Sequence, residues 1–348
     1  MRMSEQTTAG RNGPARDGYS MPAEWAPHRR SWMCWPCRLS VWGSPGGLAR
    51  AREATAHLAR TIAGFEPVVM AARPEDAADV ERLCGDAAEV FETPLDDSWA
   101  RDIGPTFLAG PGRAGIAWQF NAWGRKYSPY DKDRDFAAAV LERENARAYR
   151  APIVCEGGAI HVDGAGTLIS TEQCLLNPNR NPTLDRETIG ELLARYTGAK
   201  CIVWLGGKFS DDETDVHIDN IACFAAPGRV ILGVPASKSH PDLAAIEAAK
   251  RRFAAARDAR GEPFEIVEIA QPENERLDWR GRPLAASYVN FYLVNGGLVM
   301  PAFDDPADLP ARALLADCFA GREIVQIDAR AIVEGGGGIH CITQQEPA

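Results

Sequence analysis

No stretch of this 348-residue chain is apolar for long enough to cross a membrane. The best candidate, residues 285–303, is broken by Asn290, Asn295 and two glycines. The first twenty residues lack the apolar segment of a secretory signal and read as a disordered leader through residue 18. Basic residues are outnumbered, 38 Lys and Arg against 48 Asp and Glu, and the net charge of −10 argues against nucleic acid as a main partner. It suits a cationic small molecule. No phosphate-binding loop ending in Gly-Lys-Ser/Thr, no zincin helix and no Rossmann glycine pattern is found. The nine cysteines are odd in number and dispersed, which fits free thiols in a reducing cytoplasm rather than a disulfide framework. Only Cys34 and Cys37 stand close together; with no second Cys/His pair they do not read as a zinc site, and they are either incidental thiols or a redox pair.

What is present is an alternation of apolar strand-like runs with helix-like runs, the pattern of an α/β fold. Strands are expected at 67–71, 114–120, 153–155, 167–170, 201–205, 229–234, 287–294 and 323–327, and helices at 49–62, 184–196, 241–259 and 309–320. Asp185 and Asp308 are placed to cap or start two of those helices. No Pro/Gly/Ser linker divides the body, so one domain is expected over 19–348. Gly157-Gly158-Ala159-Ile160-His161 is echoed by Gly336-Gly337-Gly338-Ile339-His340, each with a glutamate just upstream, suggesting two equivalent turns that feed one centre.

Four segments carry chemistry. Near the C-terminus, four consecutive glycines (335–338) precede Ile339-His340-Cys341-Ile342, which reads as a short strand. Glycines there allow another molecule close to the backbone, and Cys341 reads equally as a nucleophile or a buried thiol. Asp96-Asp97-Ser98-Trp99-Ala100-Arg101-Asp102 sets carboxylates beside an aromatic face, a combination that favours a cation. Glu156 stands at a strand end before Gly157-Gly158. His217 and Asp219 share a face if 216–220 is extended; His161 and Asp163 have the same spacing, and spacing does not separate the two pairs. The opening Met21-Pro22-Ala23-Glu24-Trp25 reads as an ordered arm.

Taken in order, these segments resemble the agmatine deiminase (Porphyromonas-type peptidylarginine deiminase) family of the guanidino-group-modifying pentein superfamily. The matching blocks are Met21 to Trp25, Asp97 to Thr106, Phe120 to Gly124, Glu156-Gly157-Gly158, Leu176 to Pro182, Asp212 to Asn220, Ala286 to Tyr292 and Gly336 to Gln345. The resemblance implies a five-bladed α/β propeller of pseudo-symmetric ββαβ units with a central active site, and selects His217 and Asp219 over His161 and Asp163. It implies hydrolysis of agmatine to N-carbamoylputrescine and ammonia, a step toward putrescine, without metal or organic cofactor. Asp102 and Asp219 would bracket the guanidinium, Cys341 would attack it, and His217 would move protons. Glu156 would orient His217 or touch substrate directly. Trp99 and the Asp96-Asp97 pair are assigned to the distal end of the substrate, and Gly336 and Gly337 to its close approach to the thiol.

Three positions depart from the family pattern: Gly338 where Asn is usual, Val216 where Gly precedes the histidine, and Asp304 where Gly follows an aromatic residue. All three are expected near the site, with Val216 narrowing the pocket. Alternatives within the enzyme class are another guanidino substrate (arginine, peptidyl-arginine or a guanidino acid) and amidino transfer. A non-catalytic binding module is the alternative outside it. The oligomeric state is not fixed by the sequence; a homodimer is compatible with it.

Overall fold

A computed structural model describes residues 13–210, 212–274 and 277–348. Residues 1–12 of the expected leader lie outside the described residues. Its last part is ordered: Pro14–Asp17 form a 3-10 turn, and Asp17 accepts a hydrogen bond from Tyr149 Oη at 2.6 Å.

Among the described residues, sixteen strands form five separate sheets, and four of these repeat one connection. An antiparallel hairpin leads through a helix to a third strand that pairs parallel with the hairpin's second strand. The four sets are Thr106–Leu108, Ala114–Gln119 and Arg147–Val154; Ile160–Val162, Thr167–Thr171 and Cys201–Leu205; Ala222–Ala226, Arg229–Val234 and Glu265–Ala270; and Tyr292–Val294, Gly297–Ala302 and Glu323–Asp328. Parallel pairing needs a long crossover, supplied here by helices Asp131–Arg143, Arg186–Thr197, Leu243–Ala255 and Asp308–Cys318. The fifth sheet joins the chain ends. Thr343–Pro347 runs antiparallel to His28–Cys34, which pairs across helix Pro45–Ala63 with Val68–Ala72, and that strand pairs with Glu89–Glu92. These are the blades of the propeller. No helix among the described residues is long and apolar enough to cross a membrane.

Local chemistry sets the helix starts. Asp185 Oδ1 accepts from Thr188 N at 2.9 Å and Ser44 Oγ from Gly47 N at 3.0 Å, each satisfying an orphan amide of a first turn. Asp308 is the first residue of its helix, and its carboxylate accepts from Tyr288 Oη and from the Phe303 and Asp305 amides.

A short turn precedes the first strand of each of the four repeated sheets, at 99–103, 156–159, 217–220 and 287–290, and another, at 337–341, precedes Thr343–Pro347 of the fifth. These five segments are tied to one another. Gly158 N donates to Asp102 Oδ1, Arg101 N to the Cys341 carbonyl, Asn290 Nδ2 to the Asp219 carbonyl, and His340 N to Asn290 Oδ1. The two echoed glycine turns belong to two of these five segments. Sheet pairing thus fixes the strands, and the strands aim their lead-in turns at one place.

Candidate active site

Gly158 shows how closely the segments converge. A Cβ added there would lie 2.6 Å from His217 Nδ1, 2.9 Å from Asp219 Oδ2 and 3.0 Å from Asp102 Oδ1. Glycine alone leaves that space to a planar ligand. Asp102 is fixed on both oxygens, Oδ1 by the Gly158 amide at 3.0 Å and Oδ2 by Trp123 Nε1 at 2.9 Å. Trp123 reaches it from a left-handed backbone, φ 52° and ψ 44°, which a bulky residue adopts only under constraint.

Cys341 does not sit on a strand, as its apolar neighbours suggest; it ends a turn two residues before Thr343–Pro347. The turn lets Sγ face inward. It lies 3.3 Å from Asn290 Nδ2 and 3.5 Å from Asp219 Oδ2, and the residue is 3% exposed. Burial, then Asp219 and Asp102, push the thiol pKa well above its ordinary value, against the Gly338 amide and Asn290, which lower it. The free enzyme therefore carries a protonated thiol at neutral pH. Alkylation of Cys341 by neutral iodoacetamide should be slow and should rise about tenfold per unit between about pH 7 and 9. Cationic chloroacetamidine, whose charge offsets the two carboxylates, should label it faster at every pH; equal rates for the two reagents would refute this electrostatic account.

His217 is the N-cap of the 3-10 turn Ile218–Asn220, not a strand residue. The expected shared strand face is therefore absent, yet the turn brings His217 and Asp219 to the same point. His217 is fully buried with Nδ1 3.7 Å from Asp102 Oδ1 and Nε2 3.7 Å from Glu156 Oε2, and neither nitrogen has a hydrogen-bond partner among the described residues. Burial opposes its charge, but Asp102, Cys174 and Glu156 outweigh burial and hold its pKa well above the usual histidine value. Glu156 stands between two partners and does not line the cavity: its Oε2 faces His217 and its Oε1 is bonded by Arg180 Nε at 2.7 Å. Burial raises its pKa, and Arg180 with His217 more than reverses that. Glu156, Cys174 and His217 present donor atoms within 4.8 Å of one another, spacing that suits a metal ion. The Arg180 guanidinium on the same carboxylate opposes a cation there.

Asp219 Oδ2 is 2.8 Å from His340 Nδ1, while Oδ1 has no partner among the described residues. Burial raises its pKa, but His340, His217 and Arg101 keep it below the usual carboxylate range. His340 Nε2 continues to Glu24 Oε1 at 2.8 Å, and Glu24 also faces His161 at 3.6 Å and Arg101 at 3.5 Å. The Met21 to Trp25 arm is thus ordered, and its glutamate holds the array behind Asp219. His161 accepts from Phe224 N, and Asp163 caps the turn at Ala165 and Thr167; both stand outside the cavity.

The cavity is lined by Trp99, Asp102, Trp123, Tyr127, Glu213, Thr214, Gly335, Gly336, Gly337 and Cys341. Trp99 is stacked on Trp42, ring centres 6.1 Å apart. Asp97 is not at this cavity. It is buried with Arg38 Nε at 3.3 Å and accepts from its neighbour Ser98, and burial lifts its pKa to about 6. Asp96 accepts from Lys132 N. Cys34 and Cys37 lie near Asp97 and Asp133, and burial with those acids raises both thiols, the reverse of what a redox pair needs.

The departures resolve into backbone geometry. Val216 has φ 72° and Asp304 φ 56°, the left-handed region where the family's glycine costs nothing. Val216 belongs to a buried apolar cluster that includes Phe209, Ile218 and Leu205 and does not line the cavity, and exposed Asp304 meets Arg330. Neither narrows the pocket. Gly338 suits the placement of its neighbour, since a Cβ there would fall 2.4 Å from Asn290 Oδ1 and the Asn290 side chain would have to move. The residues that pattern alone left unassigned are Glu24, Trp123, Arg180, Glu213, Asn290 and His340. Each belongs to a matching block, but nothing in residue type set it apart.

Known proteins resemble the chain over nearly its whole length. The agmatine deiminase of Pseudomonas putida F1 is 43% identical over 360 residues, covering 96% of this chain and 97% of that protein. That of Stutzerimonas stutzeri A1501 is 42% identical over 359 residues with the same coverage. The solved structure of Enterococcus faecalis agmatine deiminase superposes with a TM-score of 0.92 at 33% identity, covering 97% of this chain and 98% of that one. The model of the Porphyromonas-type peptidyl-arginine deiminase family matches residues 20–347, and the chain belongs to that family.

Proposed function

We propose that this chain is a guanidine deiminase that hydrolyses agmatine to N-carbamoylputrescine and ammonia. The observation that carries the reading is the convergence of four groups: Cys341 Sγ lies 3.5 Å from Asp219 Oδ2, Asp219, Asp102 and His217 meet around Gly158, and Cys341 and Asp102 line the cavity beside them. A guanidinium is a poor electrophile because its charge is spread over three nitrogens. Asp102 and the unpartnered Asp219 Oδ1 pin its plane, and its positive charge lowers the thiol pKa so that the Cys341 proton leaves to solvent as the cation enters. The thiolate adds to the central carbon, and a C–N bond breaks as His217 gives its proton to the departing ammonia. Neutral His217 then takes a proton from water. The resulting hydroxide adds to the thiouronium carbon, and the C–S bond breaks to regenerate the thiolate while the hydroxyl proton passes to solvent, where the released ammonia takes one up, leaving the neutral ureido product.

Glu156 acts through His217, held ionised by Arg180. The far ammonium of agmatine would meet Glu213, the carboxylate at the cavity wall beside Gly336. The route uses side chains alone, so no metal or organic cofactor enters it. A single catalytic unit over 19–348 acting in the cytoplasm completes the reading, in keeping with nine free thiols.

A panel of agmatine, arginine, butylguanidine and 4-guanidinobutyrate tests it, with ammonia and ureido product measured together. Agmatine should lead in kcat/KM by about threefold or more, the scale of one partly exposed charge contact. Amidino transfer to an added amine without ammonia, or no ammonia from any member, would overturn the reading.

A further inference from the structure

Glu213, the acid available to the distal end of the substrate, is already occupied by the chain itself. The hairpin around Leu277 and Pro283 sends Arg280 and Arg282 to its Oε1, while Tyr127 Oη donates to Oε2 at 2.8 Å. The hairpin is anchored independently of Glu213. Trp279 Nε1 donates to the Val41 carbonyl at 2.9 Å, and its ring packs on Gly43. Arg280 Nη2 donates to the Ser40 carbonyl at 2.8 Å.

Resting on the agmatine reading, we propose that Arg282 is a built-in competitor of substrate, a guanidinium of this protein seated on the carboxylate that the distal ammonium must use. Binding exchanges one cation for the other on Glu213. Two observations make the exchange inexpensive. Arg282 keeps a second partner, since its Nε and Nη2 both reach Asp278 Oδ2, at 3.0 and 2.9 Å, so leaving Glu213 does not strand its charge. Its side chain is also 43% exposed, so it moves into water rather than through packed core. Glu213 packs its Cγ against Gly336, where a Cβ would come within 3.1 Å, while the next glycine borders Cys341 and Trp99. The contested carboxylate and the nucleophile therefore border adjacent backbone positions of one cavity wall. Arg282 is thus a specificity-determining residue. It raises the KM of substrates that carry a distal cation and leaves uncharged ones alone.

Arg282→Gln should lower the KM for agmatine about threefold or more, the scale of a half-exposed ion pair, with kcat within twofold. The KM for butylguanidine, which has no distal charge, should not move. Trp279→Ala, which frees the hairpin, should lower the agmatine KM in the same direction. In a Glu213→Gln background, Arg282→Gln should lose its effect on agmatine, because the contested carboxylate is gone. An agmatine KM that is unchanged or raised in Arg282→Gln refutes the competition, as does an equal fall for butylguanidine. A selective rise in KM for 4-guanidinobutyrate with agmatine unaffected would mean that Arg282 binds an anionic distal group instead. No ammonia from agmatine in the wild-type enzyme would sink the functional reading and the competitor with it; turnover with an unmoved KM sinks the competitor alone.

Discussion

Cys341→Ser should retain its fold and lose turnover of agmatine by a factor of about 1,000 or more, the scale seen when a nucleophile is removed. The site offers a serine no help. A hydroxyl must shed its proton during attack, yet His217, whose pKa is held well above the usual histidine value, starts protonated and is not available as a base. Asp219 is near enough to accept, but its Oδ2 is engaged by His340 and its pKa is depressed, which makes it a weak base. A thiol escapes this limit because the bound cation can bring it to its anion in advance. Stability should change little, by less than about 1 kcal/mol, because a buried Oγ finds a donor in Asn290 Nδ2 and an acceptor in Asp219. The measurements are single-turnover ammonia release, a denaturant midpoint, and calorimetric binding of agmatine to the Ser variant. Turnover within tenfold of wild type would end the covalent route.

The sequence exposed the architecture where burial is apolar and concealed it where burial is polar. Cys201–Leu205 and Arg229–Val234 lie where apolar runs place them. Strand Thr343–Pro347 was invisible because Thr-Gln-Gln-Glu-Pro carries no apolar alternation; its side chains are buried through hydrogen bonds, with Glu346 accepting from Trp32 Nε1 and Gln344 donating to the Pro105 carbonyl. Helix Asp131–Arg143 was missed for a related reason, since its first turn is nearly all charge. At the site the error was of another kind. Residues 217–220, 287–290 and 339–341 look like strand starts because apolar residues flank them, but each is a turn. Those turns are what let His217, Asn290 and Cys341 point to a common centre, whereas alternation along a strand would have sent neighbours to opposite faces. The carboxylate at the mouth was misplaced at Asp97 because an acidic cluster beside Trp99 says nothing about which acid turns inward; Asp97 turns to Arg38.

Arg180→Met carries the largest expected cost in stability. The Arg180 side chain is fully buried and bonds Glu156 Oε1 at 2.7 Å, Asp215 Oδ2 at 2.8 Å, Asn179 Oδ1 at 2.8 Å and the Thr214 carbonyl at 2.9 Å. Removing it strands a fully buried carboxylate, a loss of about 3–5 kcal/mol. The loss should depend on pH with a definite sign. In the wild type the folded pKa of Glu156 is depressed, so this group contributes stability above its unfolded pKa and loses it as pH falls through the folded one. Without Arg180, burial dominates and the folded pKa rises above the unfolded value, so the variant gains relative stability as pH falls toward weak acid. The gap between variant and wild type should therefore be widest at neutral pH and close on acidification, as read by urea unfolding at about pH 7.5 and about pH 5. Adding Glu156→Gln should recover most of the stability, because a neutral amide needs no counter-ion. It should not recover activity, since His217 then loses the charge that keeps its proton. A variant equally destabilised at both pH values would point to lost packing instead and would detach Arg180 from the charge of Glu156.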